Sequence, residues 1–260
     1  ADLIHHIDGI AAVRVDGLIE GDRLHNGAEC LIDRPFVQTD ILGDLRRGGL
    51  PVQLGCQGVY RADTAVGGNF GAFTTNRPAN AAAQMGCAST LIGHCEERND
   101  KMGILAEAGV TGKAAAEAVN RILNQEIKCA QAAGLTVLYC IGEKSEEQAE
   151  WENVLGAQLD IGLDGVDKRR VVIAYEPIWS IGPGKTPADK PYITKIARFV
   201  KARTGGMDVV YGGGLKQDNA AMLASIDEID GGLIALTRFS GEIGFYPDEY
   251  LDIIRRYLGK

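Results

Sequence analysis

VVIAYEPIWSIGPGKTP, residues 171–187, joins an apolar run to a carboxylate and then to a segment carrying Gly182, Pro183, Gly184, Lys185 and Pro187. A run apolar on both alternating faces, as Val171 to Ala174 is, fits a strand covered on both sides, which is the habit of parallel sheets. Glu176 follows at its C-terminal end. A carboxylate there is costly to desolvate, so it has either a partner or a task. The glycine- and proline-bearing segment beyond it reads as one able to move.

Similar short, β-rich runs recur on either side: Val52 to Cys56, Ser89 to Gly93, Thr136 to Ile141, Asp208 to Tyr211 and Gly232 to Leu236. Between them lie stretches of helical period. From Lys113 to Ala133 the residues Val119, Ile122, Leu123, Ile127 and Ala130 form one stripe, and Lys113, Glu117, Asn120, Arg121 and Lys128 take the other face. Helices are predicted likewise over Glu146–Leu159, Tyr192–Val200 and Asp248–Leu258, the last with Leu251, Ile254 and Leu258 inward. Pro247 with Asp248 and Glu249 reads as its start.

Apolar strands alternating with amphipathic helices imply a parallel sheet covered by helices, either a closed barrel or an open doubly wound sheet. No GxGxxG turn follows the first strand, which weakens a dinucleotide-binding reading. Polar residues instead close several different strands: His94, Glu143, Glu176 and the glycines 212 to 214. A barrel gathers its site from many strand ends, so the expected fold is a (β/α)8 barrel, one domain over residues 1–260 with residues 1–33 atypical.

The composition narrows the function. With 260 residues and 45% hydrophobic content the chain can bury a sizeable core. A net charge of -8 and a pI near 5.1 argue against nucleic acid or an anionic membrane as partner. The six cysteines form no CxxC pair and no metal-ligand cadence, so they read as reduced thiols of a cytoplasmic protein. There is no transmembrane-length apolar run, and the N-terminus lacks a signal pattern.

Two titratable groups at one barrel face, Glu176 and His94, suit proton transfer between neighbouring carbons, one removing a proton and the other polarising an oxygen. Glycines 182, 184 and 212 to 214 lie just past strands, where backbone N–H groups can meet an anion such as phosphate.

TLIGHCEERND (90–100), AYEPIWSIGPGKTP (174–187) and VVYGGGL (209–215) resemble the histidine strand, the catalytic glutamate with its hinged lid, and the phosphate turn of the triosephosphate isomerase family. CIGE (140–143), GAFT (71–74) and Gly55-Cys56-Gln57 fall in the family's order too, and the likeness runs from about Arg34 to the C-terminus. The resemblance implies that Glu176 abstracts the carbon-bound proton and that a neutral His94, a state taken from the family, polarises the carbonyl and enediolate oxygens. It implies a lid over Ile181 to Lys185. Gly182, Gly213 and Gly214 would donate N–H groups to phosphate, and Glu96 matches a carboxylate near the active site. Thr74, beside Phe73, matches the tip of a loop, Val66 to Asn76, that plugs into a partner subunit, so a homodimer is implied.

The chain departs from the family in three places. No lysine precedes Lys101, and Ala1 to Asp33 shows no counterpart of the family's first-strand Asn and Lys; either ADLIHHIDG is a remnant of the first helix or that electrophile is lost. The family's glycine pair after the eighth strand is replaced, its N–H donors now belonging to Ala235 and Leu236, with Arg238 as a candidate phosphate cation. Gly214 replaces a serine. The expectation is an aldose–ketose isomerase of small phosphosugars, of three or four carbons, without metal or organic cofactor. The alternative is a non-catalytic barrel that binds a phosphorylated metabolite or a partner protein.

Overall fold

The computed structural model describes residues 55–65, 69, 73, 75–181, 185–238 and 241–259. Within them six parallel strands pair in chain order: β1 (Gly55–Cys56), β2 (Ser89–Ile92), β3 (Thr136–Ile141), β4 (Val171–Tyr175), β5 (Val209–Tyr211) and β6 (Gly231–Gly232). A doubly wound sheet reverses its strand order at a switch point, and these strands do not. Each crossover steps the same way, which is the winding of a barrel.

The helices lie between the strands: α1 (Ala79–Gln84), α2 (Cys95–Glu107), α3 (Gly112–Ala132), α4 (Trp151–Gly162), α5 (Lys190–Thr204), α6 (Ala220–Ala224) and, after β6, α7 (Pro247–Tyr257). Local chemistry sets their ends. Asp189 caps α5 by accepting the Tyr192 N–H at 2.9 Å, Pro191 stands in the first turn, and Gly205 closes the helix at φ 81°. Asp248 and Glu249 open α7 and Arg255 and Arg256 close it, each sign opposing the helix dipole.

Strand alternation sorts the side chains into two cores. Leu138, Cys140, Ala174, Val210 and Leu233 form one cluster, with Leu91 and Val172 packed on it, and face the concave side. Tyr139, Ile141, Ile173, Tyr175, Val209 and Tyr211 point the other way and meet Leu123, Ile127, Leu155, Ile193 and Ile196 of the helices. The segment from Val171 to Tyr175 is therefore apolar on both faces because both are buried.

Three sequence expectations are corrected. Asn120, placed on the solvent face of α3, is 2% exposed because its side chain accepts a hydrogen bond from Arg98 at 2.7 Å. Leu251 is 41% exposed, since α7 buries Ile253, Ile254 and Tyr257 instead. The last apolar run pairs only through Gly231 and Gly232; Leu233 and Ile234 are buried beyond the strand, and Ala235 and Leu236 lie in the turn that follows. Among the described residues no helix is long and apolar enough to cross a membrane.

Candidate active site

In a parallel sheet all C-terminal strand ends share one rim. Gly93 and His94 follow β2, Gly142 and Glu143 follow β3, Glu176 follows β4, and Gly212 follows β5. His94 and Glu176 thus start from strands separated by β3, roughly 10 Å apart at the backbone. Their side chains close that gap over the end of β3: His94 Nε2 stands 3.4 Å from Glu176 Oε1.

Glu176 is 3% exposed. Burial pushes its carboxyl upward, opposed by His94, the Cys140 thiol, the Cys95 backbone N–H and Arg98, and the net effect is a raised pKa. Two glycines make room for it. A Cβ on Gly212 would lie 2.7 Å from Glu176 Cγ, and one on Gly142 would run into the Glu176 carbonyl oxygen. The Glu176 N–H donates to Ile141 O at 2.8 Å, so the backbone under the carboxylate is fixed by β3.

His94 caps α2: its Nδ1 accepts the Glu96 N–H at 3.4 Å, and the Glu96 carboxylate stands 3.8 Å from the same nitrogen. Burial works against a charged ring, while Cys95, Glu176 and Glu96 favour one and raise His94 to about 9. The hydrogen-bond geometry points the other way. A protonated Nδ1 would oppose its N–H to that of Glu96 at the positive end of α2, so we assign the neutral ring with its proton on Nε2, toward Glu176. Nitrogen NMR of the His94 ring at pH 7 is expected to show an unprotonated Nδ1; a ring with both nitrogens protonated would show that the carboxylates outweigh the cap.

Glu143, fully buried, gathers three donors on one oxygen: Tyr175 Oη at 3.0 Å, Trp179 Nε1 at 2.7 Å and Tyr192 Oη at 3.0 Å. Trp179 belongs to the short turn Ile178–Ser180 that leaves the strand, so Glu143 anchors the entry to the segment at Ile181. Gly213 and Gly214 continue past Gly212, with Gly214 at φ 89°, a conformation suited to glycine. Arg238, beyond β6, donates to Glu249 at 2.6 Å and lies 3.8 Å over the Tyr246 ring. Phe73 packs edge to face on Tyr60 of its own chain at 5.6 Å. Gly182 and Thr74 lie outside the described residues.

The structure therefore brings His94, Glu96 and Glu176 together and sets Gly212 against Glu176. It adds Gly142 and Arg98, which the sequence signalled only as parts of CIGE and TLIGHCEERND, and with Arg98 a buried frame completed by Tyr139 and Gln158, which no motif announced.

Residues 11–255 match the family model for triosephosphate isomerase. The chain belongs to the triosephosphate isomerase family. The match begins well ahead of Arg34, so the likeness reaches further toward the N-terminus than the motifs alone carried it. A triosephosphate isomerase of Parasynechococcus marenigrum is 34% identical over 236 residues, 89% of this chain and 85% of that protein. One of Pelodictyon phaeoclathratiforme is 36% identical over 199 residues, 72% and 70% of the two chains. The crystal structure of triosephosphate isomerase from Bartonella henselae superposes with a TM-score of 0.62 at 24% identity, over 85% of this chain and 82% of that one. The shared fold is the (β/α)8 barrel, and the described residues supply six consecutive strands of it.

Proposed function

We propose that the chain is an aldose–ketose isomerase that interconverts small phosphosugars through an enediol. The reading rests on the 3.4 Å approach of His94 Nε2 to Glu176 Oε1 across the end of β3. In this reading Glu176 takes a proton from one carbon and returns it to the next, while His94 Nε2–H moves onto the oxygens that gain charge. A raised carboxyl makes Glu176 a better base than an exposed glutamate, provided that it is ionised. Glu96, exposed beside Nδ1, tunes the ring rather than reacting.

Phosphate is assigned to backbone N–H groups of Gly213, Gly214 and the lid residue Gly182. Arg238 would have to leave Glu249 and Tyr246 to reach an anion, so the proposal gives it no contact. Ala235 and Leu236 line the turn where a further N–H donor would stand. We also propose a single barrel domain that pairs as a homodimer through the loop at Phe73 and Thr74.

The active form requires ionised Glu176, so activity is present above its pKa and lost as pH falls through it. With that pKa raised above the ordinary 4.5, the acid limb of kcat/KM is expected above pH 4.5. A limb at or below 4.5 would remove Glu176 as the titrating base. The assay that tests the function is coupled turnover of glyceraldehyde 3-phosphate, dihydroxyacetone phosphate and their four-carbon analogues. Turnover of one pair identifies the substrate, and turnover of none, in folded protein, favours a binding barrel.

A further inference from the structure

His94 and Glu176 come from different strands, so something must hold those strand ends to a fraction of an ångström if the two side chains are to act on one substrate. The Gly93 peptide groups, immediately before His94, are gripped on both sides. Its N–H donates to Glu97 Oε2 at 2.6 Å, and its carbonyl accepts from Arg98 Nε at 2.8 Å. The same guanidinium spans to β3, donating to Cys140 O at 2.9 Å and Tyr139 Oη at 3.1 Å, and to Asn120 on α3 at 2.7 Å. Gly93 itself lies so close to β3 that a Cβ would meet Cys140 O at 2.8 Å.

The chain of bonds continues on the other side of β3. Tyr139 Oη donates to the Gln158 carbonyl at 2.8 Å. The Gln158 side chain then closes a paired amide contact with Gly142, donating to its carbonyl at 2.8 Å and accepting its N–H at 2.9 Å. Gly142 is the residue whose missing Cβ leaves room for the Glu176 carbonyl. Arg98, Asn120, Tyr139 and Gln158 are all buried. A buried guanidinium and amide are tolerated only when their hydrogen bonds are made, and a satisfied network of this kind fixes one arrangement.

We propose that Arg98 and Gln158 are positioning residues of the isomerisation: through Tyr139 they lock the peptides of Gly93 and Gly142 to one another, and so set where His94 stands relative to Glu176. This rests on the isomerase reading of the same site. Neither side chain makes a hydrogen bond to His94 or Glu176 among the described residues, so their positioning effect passes through the backbone; the Arg98 charge, which also acts on Glu176 through space, is kept in Arg98→Lys.

The test compares Arg98→Lys, which loses the forked contacts, and Gln158→Glu, which keeps the shape but sets a carboxylate oxygen against Gly142 O. The control is Asn124→Ala. Asn124 is an equally buried amide that donates to Gly162 O at 2.8 Å and Asp164 O at 2.9 Å, outside the chain of bonds. Arg98→Lys and Gln158→Glu are expected to lower kcat about 10- to 100-fold with KM little changed, and to move the His94 ring nitrogen resonances. Asn124→Ala should lose stability with both readouts unmoved. Loss of kcat no greater than in Asn124→Ala, or unmoved His94 resonances, overturns the proposal. A parent protein inactive on every phosphosugar refutes the isomerase reading, and the resonances then decide the positioning claim alone. Should Arg98→Lys fail to fold, Gln158→Glu decides; should both fail, Tyr139→Phe, which removes only the central hydroxyl, takes their place.

Discussion

Replacing Glu176 with Gln is expected to lower kcat by ~100-fold to ~10,000-fold, the usual range for loss of a general base, or roughly 3 to 5 kcal/mol of barrier. The amide keeps the shape that Gly142 and Gly212 accommodate, so the fold should be kept. What disappears is the basicity, since an amide oxygen accepts hydrogen bonds but does not take up the proton. KM should change far less than kcat, because the interaction lost belongs to the transition state. Thermal melting alongside steady-state kinetics separates the two effects. A variant that melts like the parent and turns over at a similar rate would remove Glu176 from the chemistry and leave His94 without the partner that this account gives it.

The second large effect concerns space rather than charge. Gly142→Ala would push a methyl group into the Glu176 carbonyl oxygen, and to within 3.0 Å of its carbon and 3.2 Å of Ile178 Cγ1. The first two are backbone atoms of β4's C-terminal end, held by the Glu176 N–H bond to Ile141 O, so they cannot swing aside as a side-chain tip would. The paired amide contact with Gln158 holds Gly142 from the opposite side. Relief requires strands β3 and β4 to part at the rim. The expected loss is about 3 kcal/mol or more in urea or thermal unfolding, with activity falling as well because Glu176 is displaced. Gly103→Ala, in α2 where a Cβ meets nothing within 4 Å, is the matched comparison and should not destabilise. Equal stability of Gly142→Ala and the parent would mean that the rim is more pliant than this packing allows.

The strand from Val171 to Tyr175 and the stripe of α3 were legible in the sequence because periodicity reports burial directly, and both faces of that strand are indeed covered. The pairing of His94 with Glu176 was legible too, since each ends an apolar run and parallel strands end on one rim. What periodicity could not show is a polar residue buried by a partner far along the chain. Asn120 reads as a surface residue of α3 until Arg98 is seen to reach it, and Gln158 looks like any helix amide until it closes on Gly142. Leu251 misled for the complementary reason. In α7 two apolar stripes compete, and Ile253, Ile254 and Tyr257 win the inward face, leaving Leu251 at the surface. Near the end of the chain, Gly232 to Leu236 has the composition of a strand. Gly231 and Gly232 take the ladder instead, and the chain turns back so that Arg238 pairs with Gly244. That bridge, together with Glu249, is what holds Arg238, and neither is visible from the run itself.

The central claim is that Glu176 moves a proton between adjacent carbons of a phosphosugar, and isotope exchange reads that step without a coupling enzyme. Protein incubated with dihydroxyacetone phosphate, or with its four-carbon analogue, in deuterated water should place deuterium on the carbon that bears the transferred proton. The parent chain should do so and Glu176→Gln should lose at least ~100-fold in rate. Folded parent protein that leaves every such substrate free of deuterium, or a Glu176→Gln chain that exchanges as fast as the parent, would contradict it.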